Sequence, residues 1–202
     1  MPKEMSRGGR ILSFLRLDTE DSANRTCLTI IVGVFSYMLL YAVELPEYKA
    51  LGLITVQISL ALLVIPLVAA FFGPFAGFVV GLFGTLIADL LYTQQIIALG
   101  LINLSYGLLG LIVGIPHYNQ GEGFSRGRTL GKLILFTMAG FLVMIVFYLA
   151  GLLLIVGENF LSAILYNFLP FFSVSLITLL IVAPVAVRLA GIVASYTRER
   201  LQ

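Results

Sequence analysis

Long apolar runs with almost no charge alternate with short polar segments along this chain. The runs cover roughly 27–44, 51–72, 75–92, 95–116, 132–156 and 162–187. At ~1.5 Å per residue, each is long enough to cross a hydrocarbon core of ~30 Å as a helix. Because the last run contains Pro170 and Pro184, we interpret 158–169 as a loop or partial helix, with the span itself starting near Pro170. The pattern predicts an all-α integral membrane protein, a six-transmembrane-helix bundle.

Basic residues set the expected orientation of this bundle. All but Lys49 fall before the first run, between the fourth and fifth runs, or after the sixth: Lys3, Arg7, Arg10, Arg16, Arg25, Arg126, Arg128, Lys132, Arg188, Arg198 and Arg200. Six spans put all of these on one side, and that side is expected to be cytoplasmic. The domain plan is therefore a cytoplasmic tail over 1–26, a membrane domain over 27–190 and a second tail over 191–202, with both termini cytoplasmic.

Composition agrees with a membrane protein and argues against an enzyme. Of 202 residues, 60% are hydrophobic and only 11% are charged, whereas a soluble domain carries about 25% charge. Cys27 is the single cysteine and His117 the single histidine, and no phosphate-binding loop motif occurs. The chain therefore lacks the usual residues of a metal site or an ATPase. We expect no catalytic residues, no metal, no cofactor and no nucleic-acid partner, only the lipid bilayer and whatever the bundle binds.

The third run combines a row of glycines with one carboxylate. Gly77, Gly81 and Gly84 recur at spacings of four and three, which places them on one helix face after a predicted turn at Gly73-Pro74. Such a face lets a second helix approach closely, either inside the bundle or on a docking partner. Asp89 is the only charged residue between Lys49 and Glu122. A carboxylate in an apolar run is costly unless it meets water, a partner or a ligand.

Polar and aromatic residues gather toward the predicted outer face. They lie in the outer halves of the spans or in the outer loops, so a bundle can bring them into one pocket for a small molecule. The candidate ligand-binding residues are Asp89, Asn103, Tyr92, Gln95, Glu44, Tyr41, Tyr148, Asn159 and Asn167. Tyrosine is also enriched at membrane interfaces without any ligand. Glu44 is equally compatible with a solvated loop charge.

These features resemble the substrate-binding S components of energy-coupling factor (ECF) transporters, which take up vitamins in prokaryotes. The resemblance covers about 25–190 and is carried by Phe72-Gly73-Pro74, Gly77, Gly81, Gly84 and Asp89-Leu90, with Gly107–Gly114 and Tyr166–Pro170 in a similar style. It implies a subunit of the prokaryotic cell membrane that captures a vitamin-like ligand outside. It also implies delivery through a transmembrane coupling subunit driven by two cytoplasmic ATPases.

One departure from the family concerns the first helix. S components often carry an Ala-x-x-x-Ala pattern there that docks the coupling subunit, and the segment 27–37 has none. The small residues Gly33 and Ser36 are the substitutes available, so the predicted docking residues are Gly33, Gly77, Gly81 and Gly84.

Two other classes of protein fit the same composition. One is a structural or scaffold protein of the cell envelope, which has no need of the outer polar residues. The other is a stand-alone secondary transporter with Asp89 as its proton site, whose transport persists without any ATPase.

The charges near the outer face also predict the kind of ligand. Four acidic residues are expected on the outer side, Glu44, Glu47, Asp89 and Glu158, and the only basic residue there is Lys49. An anionic ligand therefore finds no stable cation on that side. A neutral or cationic ring compound, thiamine-like or flavin-like, is favoured over biotin or folate.

Overall fold

The structure, a computed structural model, is a bundle of apolar helices with one short β-hairpin. It describes residues 20–42, 48–50, 54–56, 60–92, 100–116, 118, 127–156, 159–162, 164–165, 169 and 175–200. Helix α1 spans Glu20–Ala42. Strands β1 (Tyr48–Ala50) and β2 (Ile54–Val56) pair antiparallel, with Lys49 opposite Thr55. A 3₁₀ turn over Ala61–Leu63 then leads into α2, Val64–Phe72.

The remaining helices follow in chain order. Helix α3 spans Pro74–Tyr92 and α4 spans Gly100–Gly114. Helix α5 spans Gly127–Gly151 and continues as a π-helical segment, Leu152–Val156. A single turn, α6, covers Phe160–Ser162. The last helix is described from Ser175, passes through a π-helical segment at Thr178–Val182 and ends as α7, Ala183–Arg200.

Helix length and hydropathy confirm a helical membrane bundle. Four helices of the described residues are long and apolar enough to cross a membrane: Ala23–Ala42, Pro74–Leu91, Arg128–Leu154 and Ser175–Val193. Two shorter apolar helices, Ala61–Phe72 and Gly100–Gly114, correspond to the second and fourth predicted spans. Six helices thus fit the six predicted spans, and the cytoplasmic location of both termini stays a prediction.

Three predicted boundaries differ from the structure. The predicted span over 51–72 starts too early, because Ile54–Val56 is a strand and the helix begins only at Ala61. The first helix begins at Glu20, before the predicted start at 27. The last helix runs past the predicted end at 187 to Arg200, and its predicted start near Pro170 lies outside the described residues. By contrast, α3 matches the prediction of 75–92 to within one residue.

The predicted turn at Gly73-Pro74 is present and joins α2 to α3. Gly73 has φ 98° and ψ −176°, a backbone conformation that only glycine adopts readily. Its N–H donates to the carbonyl of Ala69 at 3.0 Å, which closes the last turn of α2. A β-carbon on Gly114 would lie 2.5 Å from Pro74, so the end of α4 packs tightly over this turn.

Glycines set the spacing between the central helices. A β-carbon on Gly77 would lie 2.6 Å from both Ala69 of α2 and the carbonyl oxygen of Gly110 of α4. One on Gly81 would meet the backbone of Tyr106 and Gly107. One on Gly84 would meet Tyr37 of α1. These close approaches are all to helices of this same chain.

The predicted docking glycines therefore do not form one exposed surface. Gly77, Gly81 and Gly84 are buried between helices of the bundle, which is the internal of the two alternatives left open by the sequence. Gly33 is also buried, with the Val80 and Val68 side chains 2.8 and 3.2 Å from the position of a β-carbon. Among the four, Gly33 alone also lines an outward-facing groove, described below.

Candidate functional site

The helix directions bring the rare polar residues to one end of the bundle. Helices α1 and α3 run parallel, because Gly33 packs at Val80 and Tyr37 packs one turn later at Gly84. Helix α4 runs antiparallel to α3, since Gly77 meets Gly110 and Gly81 meets Tyr106. The end of α3 thus lies beside the start of α4. We call this end of the bundle the site end.

The opposite end carries basic residues at the beginnings of α1 and α5. Arg25 lies in the first turns of α1, and Arg128 and Lys132 lie in the first turns of α5. Helix α5 is antiparallel to α4, because Gly151 packs on Ile102 and Gly140 packs on Leu109. The beginnings of α1 and α5 are therefore on the same side, away from the site end.

Asp89 is the centre of the polar cluster at the site end. Its side chain is half-buried near the end of α3. The hydroxyl of Tyr41, near the end of α1, donates a hydrogen bond to the Asp89 carboxyl, and the Asn103 amide approaches the carboxyl from α4. Three helices that are distant in sequence thus supply one polar group each. A carboxylate held by such donors is tolerated at this depth.

Asn103 is the most deeply buried polar residue of the cluster. Its side chain is 1% exposed. Neither its amide nitrogen nor its amide oxygen makes a well-formed hydrogen bond among the described residues, so its approach to the Asp89 carboxyl is long or poorly aligned. Leaving a buried amide unpaired costs ~1–3 kcal/mol. The amide is therefore available to a ligand that offers both a donor and an acceptor.

Other buried polar groups of α3 and α4 are satisfied within their own helices. The Ser105 hydroxyl donates to the carbonyl of Ile102 at 2.5 Å. The Thr85 hydroxyl donates to the carbonyl of Gly81 at 2.8 Å. Thr137 of α5 is the one other buried side chain of the described residues without a partner. It precedes Gly140 on α5 and so lies toward the basic end, away from Asn103.

Tyrosines surround the two polar anchors. Tyr106 of α4 lies close enough to interact electrostatically with Tyr37, Tyr41, Tyr148 and Asp89. The rings of Tyr37 and Tyr41 are stacked, with centroids 6.3 Å apart and planes inclined by 24°. Aromatic faces beside a few polar groups suit a planar ring compound.

An apolar wall closes one side of this cluster. Ile102 of α4 and Leu152, at the start of the π-helical segment after α5, are buried together. Tyr106, Tyr148 and Leu153 pack against them. Tyr148 thus joins the cluster from α5, so four helices contribute to it.

The predicted binding residues divide into three groups. The structure brings together Asp89, Asn103, Tyr41 and Tyr148. Tyr92 ends α3, but its side chain lies outside the described part, as do Gln95, Glu44 and Asn167. Asn159 is exposed just before α6. For all nine residues, a role in ligand binding stays a prediction.

Two members of the cluster were missed by the sequence analysis. Tyr37 is only 3% exposed, too deep for a residue that merely anchors a helix at the lipid interface. Tyr106 interacts with Asp89 and with the other three tyrosines of the cluster. Helical spacing could have identified both residues. Tyr37 lies one turn before Tyr41, and Tyr106 lies one turn after Asn103, so each shares a helix face with a predicted binding residue.

The cluster offers hydrogen-bonding groups and aromatic faces. Within the part of the chain that the structure describes, no group of three or more histidine, cysteine, aspartate or glutamate side chains gathers. The available chemistry is one carboxylate, one amide, tyrosine hydroxyls and aromatic faces. That set can hold a ring with a hydrogen-bonding edge.

A second feature is an apolar groove on the outside of the bundle. It has a volume of about 490 Å³ and runs between α1 and α2, with one residue of α7 in its lining. Its lining is Leu28, Thr29, Val32, Gly33, Ser36, Leu40, Leu63, Val64, Leu67, Val68, Phe72 and Ala186. The neighbouring side chains of Ile31 and Phe35 are also exposed. In a membrane this surface faces lipid or another protein.

Comparison with known families identifies the class of protein. The family model described as "ECF-type riboflavin transporter, S component" matches residues 49–194. The match covers most of the chain, so the protein belongs to this family and is an S component of a vitamin-uptake transporter. The resemblance seen in the sequence is thereby confirmed, and a scaffold protein is the wrong class. No curated protein and no solved structure matches the chain.

Proposed function

We propose that this chain captures riboflavin, or a closely related neutral flavin, for import across the cell membrane of a prokaryote. The observation that carries the proposal is the unpaired, buried Asn103 amide beside Asp89 in a cluster of tyrosines. The family to which the chain belongs is described as a riboflavin transporter component.

The chemistry of the cluster supports a flavin. An isoalloxazine ring is planar and apolar over most of its faces, which suits the rings of Tyr41, Tyr106 and Tyr148. One edge of the ring carries a carbonyl–NH–carbonyl sequence. Asn103 can donate to a carbonyl of that edge and accept from the NH, while Asp89 accepts a further hydroxyl or NH. No anionic group is needed in the ligand, in agreement with the charge prediction.

The orientation of the bundle supports capture from outside. Arg25, Arg128 and Lys132 are at the end opposite to the site, and the positive-inside rule places that basic end in the cytoplasm. The Asp89 cluster then faces the exterior, from which a vitamin arrives. Both termini are cytoplasmic in this arrangement.

Energy for import comes, in this proposal, from partner subunits. The chain has no phosphate-binding loop, so a transmembrane coupling subunit and two cytoplasmic ATPases supply ATP hydrolysis. The groove between α1 and α2 is the proposed seat of a helix of the coupling subunit. The small side chains of Gly33 and Ser36 leave the groove open, so a helix of the partner can pack closely against it.

Titration of the purified protein with riboflavin tests the ligand assignment. The flavin's own fluorescence is the readout, since the chain contains no tryptophan. Asn103→Ala is expected to weaken riboflavin binding ~10-fold or more, which corresponds to ~1.4 kcal/mol. The matched control is Ser105→Ala, because that buried hydroxyl bonds only within its own helix. It should leave the dissociation constant within about two-fold. Equal affinity in wild type and Asn103→Ala would remove Asn103 from the site.

Dependence on the ATPases separates this mechanism from a stand-alone transporter. Vesicles that hold this chain alone should bind riboflavin without concentrating it. Uptake should appear only when the coupling subunit, both ATPases and ATP are present. Accumulation driven by a proton gradient in vesicles of the chain alone would instead support the secondary transporter.

A further inference from the structure

Tyr37 is the member of the cluster that lies deepest on helix α1, one turn further into the bundle than Tyr41. It is one helical turn before Tyr41, is 3% exposed and stacks on the Tyr41 ring. The Tyr41 hydroxyl in turn donates a hydrogen bond to the Asp89 carboxyl. The placement of the Tyr37 ring therefore bears directly on where the Tyr41 hydroxyl lies.

Gly84 is the residue that makes room for Tyr37. A β-carbon at position 84 would lie 3.0 Å from Cγ, 3.2 Å from Cβ and 3.3 Å from Cδ1 of Tyr37. These atoms form the root of the side chain, so Tyr37 cannot relieve the contact by bending its far end. Any side chain at position 84 has to push the whole ring, or helix α1 with it.

A closed chain of contacts, called the circuit below, links helices α1 and α3. Gly84 and Asp89 both belong to α3, while Tyr37 and Tyr41 both belong to α1. Gly84 seats Tyr37, Tyr37 supports Tyr41, and Tyr41 bonds back to Asp89. The circuit fixes α1 against α3 at the level of the polar anchors.

We propose that Gly84 and Tyr37 are positioning residues, which set ligand affinity by holding Tyr41 on the Asp89 carboxylate without touching the ligand themselves. This inference rests on the proposed function, in which Asp89 anchors the ligand. It also replaces the partner-docking role predicted for Gly84 with a role inside the molecule.

A double-mutant cycle with full-length protein in detergent tests the proposal. Gly84→Ala is expected to weaken riboflavin binding five-fold or more, and Asp89→Asn ten-fold or more. Because both act through the same carboxylate, Gly84→Ala in the Asp89→Asn background should weaken binding less than two-fold further. If the two losses simply multiply, Gly84 acts on the fold as a whole and the proposal is overturned.

A matched control separates positioning from general packing. Gly33→Ala introduces a comparable contact between α1 and α3, with Val80 at 2.8 Å, but one turn further from the cluster. It should lower thermal stability without lowering riboflavin affinity. An equal loss of affinity in Gly33→Ala and Gly84→Ala would overturn the proposal.

A spectroscopic readout removes the dependence on the ligand. In protein labelled with 3-fluorotyrosine, the ¹⁹F signal of Tyr41 is assigned by Tyr41→Phe. Gly84→Ala should shift this signal in the ligand-free protein, and Gly33→Ala should not. Should Gly84→Ala fail to fold, Tyr37→Leu tests the same step by removing the stacked ring. An unmoved Tyr41 signal overturns the positioning role, whereas a moved signal with no riboflavin binding in wild type overturns only the proposed ligand.

Discussion

Replacement of Gly81 by alanine tests whether the glycine face packs inside the bundle. Gly81 sits where α3 crosses α4, in the middle of the row formed with Gly77 and Gly84. A β-carbon there would lie 2.8 Å from the carbonyl carbon of Tyr106 and 3.0 Å from the backbone nitrogen of Gly107. Since these are backbone atoms, no side-chain rotation relieves the contact.

The cost of this substitution follows from the contacts. Heavy atoms at rest lie ~3.5–4.0 Å apart, so α3 and α4 must separate by roughly 1 Å. Overpacking of this kind costs ~1–3 kcal/mol, and we expect the upper half of that range because backbone has to move. For a chain of this size, ~2 kcal/mol lowers the melting temperature by about 4–8 °C. Separation of α3 from α4 also pulls Asp89 away from Asn103, so riboflavin affinity should fall together with stability.

A thermal-shift assay in detergent, run beside a riboflavin titration, measures both effects. The matched control is Gly131→Ala in α5, where a β-carbon would meet nothing within 4 Å. That change should leave the melting temperature unaltered or raise it slightly, because alanine favours helix over glycine by ~1 kcal/mol. If Gly81→Ala kept its melting temperature and ligand affinity but lost transport, the glycine face would serve a partner subunit and the internal packing assigned here would be refuted.

Three further predictions concern single positions. Gly73→Ala forces a β-carbon into a glycine-only conformation, so it should cost ~1–3 kcal/mol and lower the melting temperature in the same assay. Asp89→Asn keeps the shape of the side chain but removes its charge, so riboflavin affinity should drop ~10-fold with expression intact; lower thermal stability at an unchanged dissociation constant would assign Asp89 to structure. Ser36→Phe fills the groove, so it should weaken co-purification with the coupling subunit while riboflavin binding survives. Ile31 is exposed on the same helix outside the groove, and Ile31→Phe should change neither property. Full co-purification of Ser36→Phe would place docking elsewhere.

Much of the fold is predictable from the length of the uncharged apolar runs alone. The boundaries that this pattern predicts wrongly have clear physical causes. Helix α3 is bounded by Gly73-Pro74 and by polar residues after Tyr92, so both of its ends carry a local signal. The hairpin was missed because Ile54–Val56 continues an apolar run. Hydropathy by itself does not separate a short apolar strand from the start of a helix.

The polar residues of the candidate site were predictable because such residues are rare in the apolar runs. Asp89 and Asn103 stand out because burial of a charge or an amide in lipid needs a partner, and the structure brings them together. Tyr37 and Tyr106 escaped notice because tyrosine also occurs at membrane interfaces without any ligand. The direction of the glycine face could not be read from sequence, since an internal helix and an external partner demand the same small residues.

The central claim is that the buried amide and carboxylate at the site end hold a flavin. Mass spectrometry of small molecules released from full-length protein, purified in detergent from cells grown with riboflavin, tests it most directly. Riboflavin should be released from the wild type in near-stoichiometric amounts, and far less should be released from Asn103→Ala purified in parallel. Release of an anionic vitamin such as folate or biotin in place of riboflavin, or equal release of riboflavin from both proteins, would contradict the account.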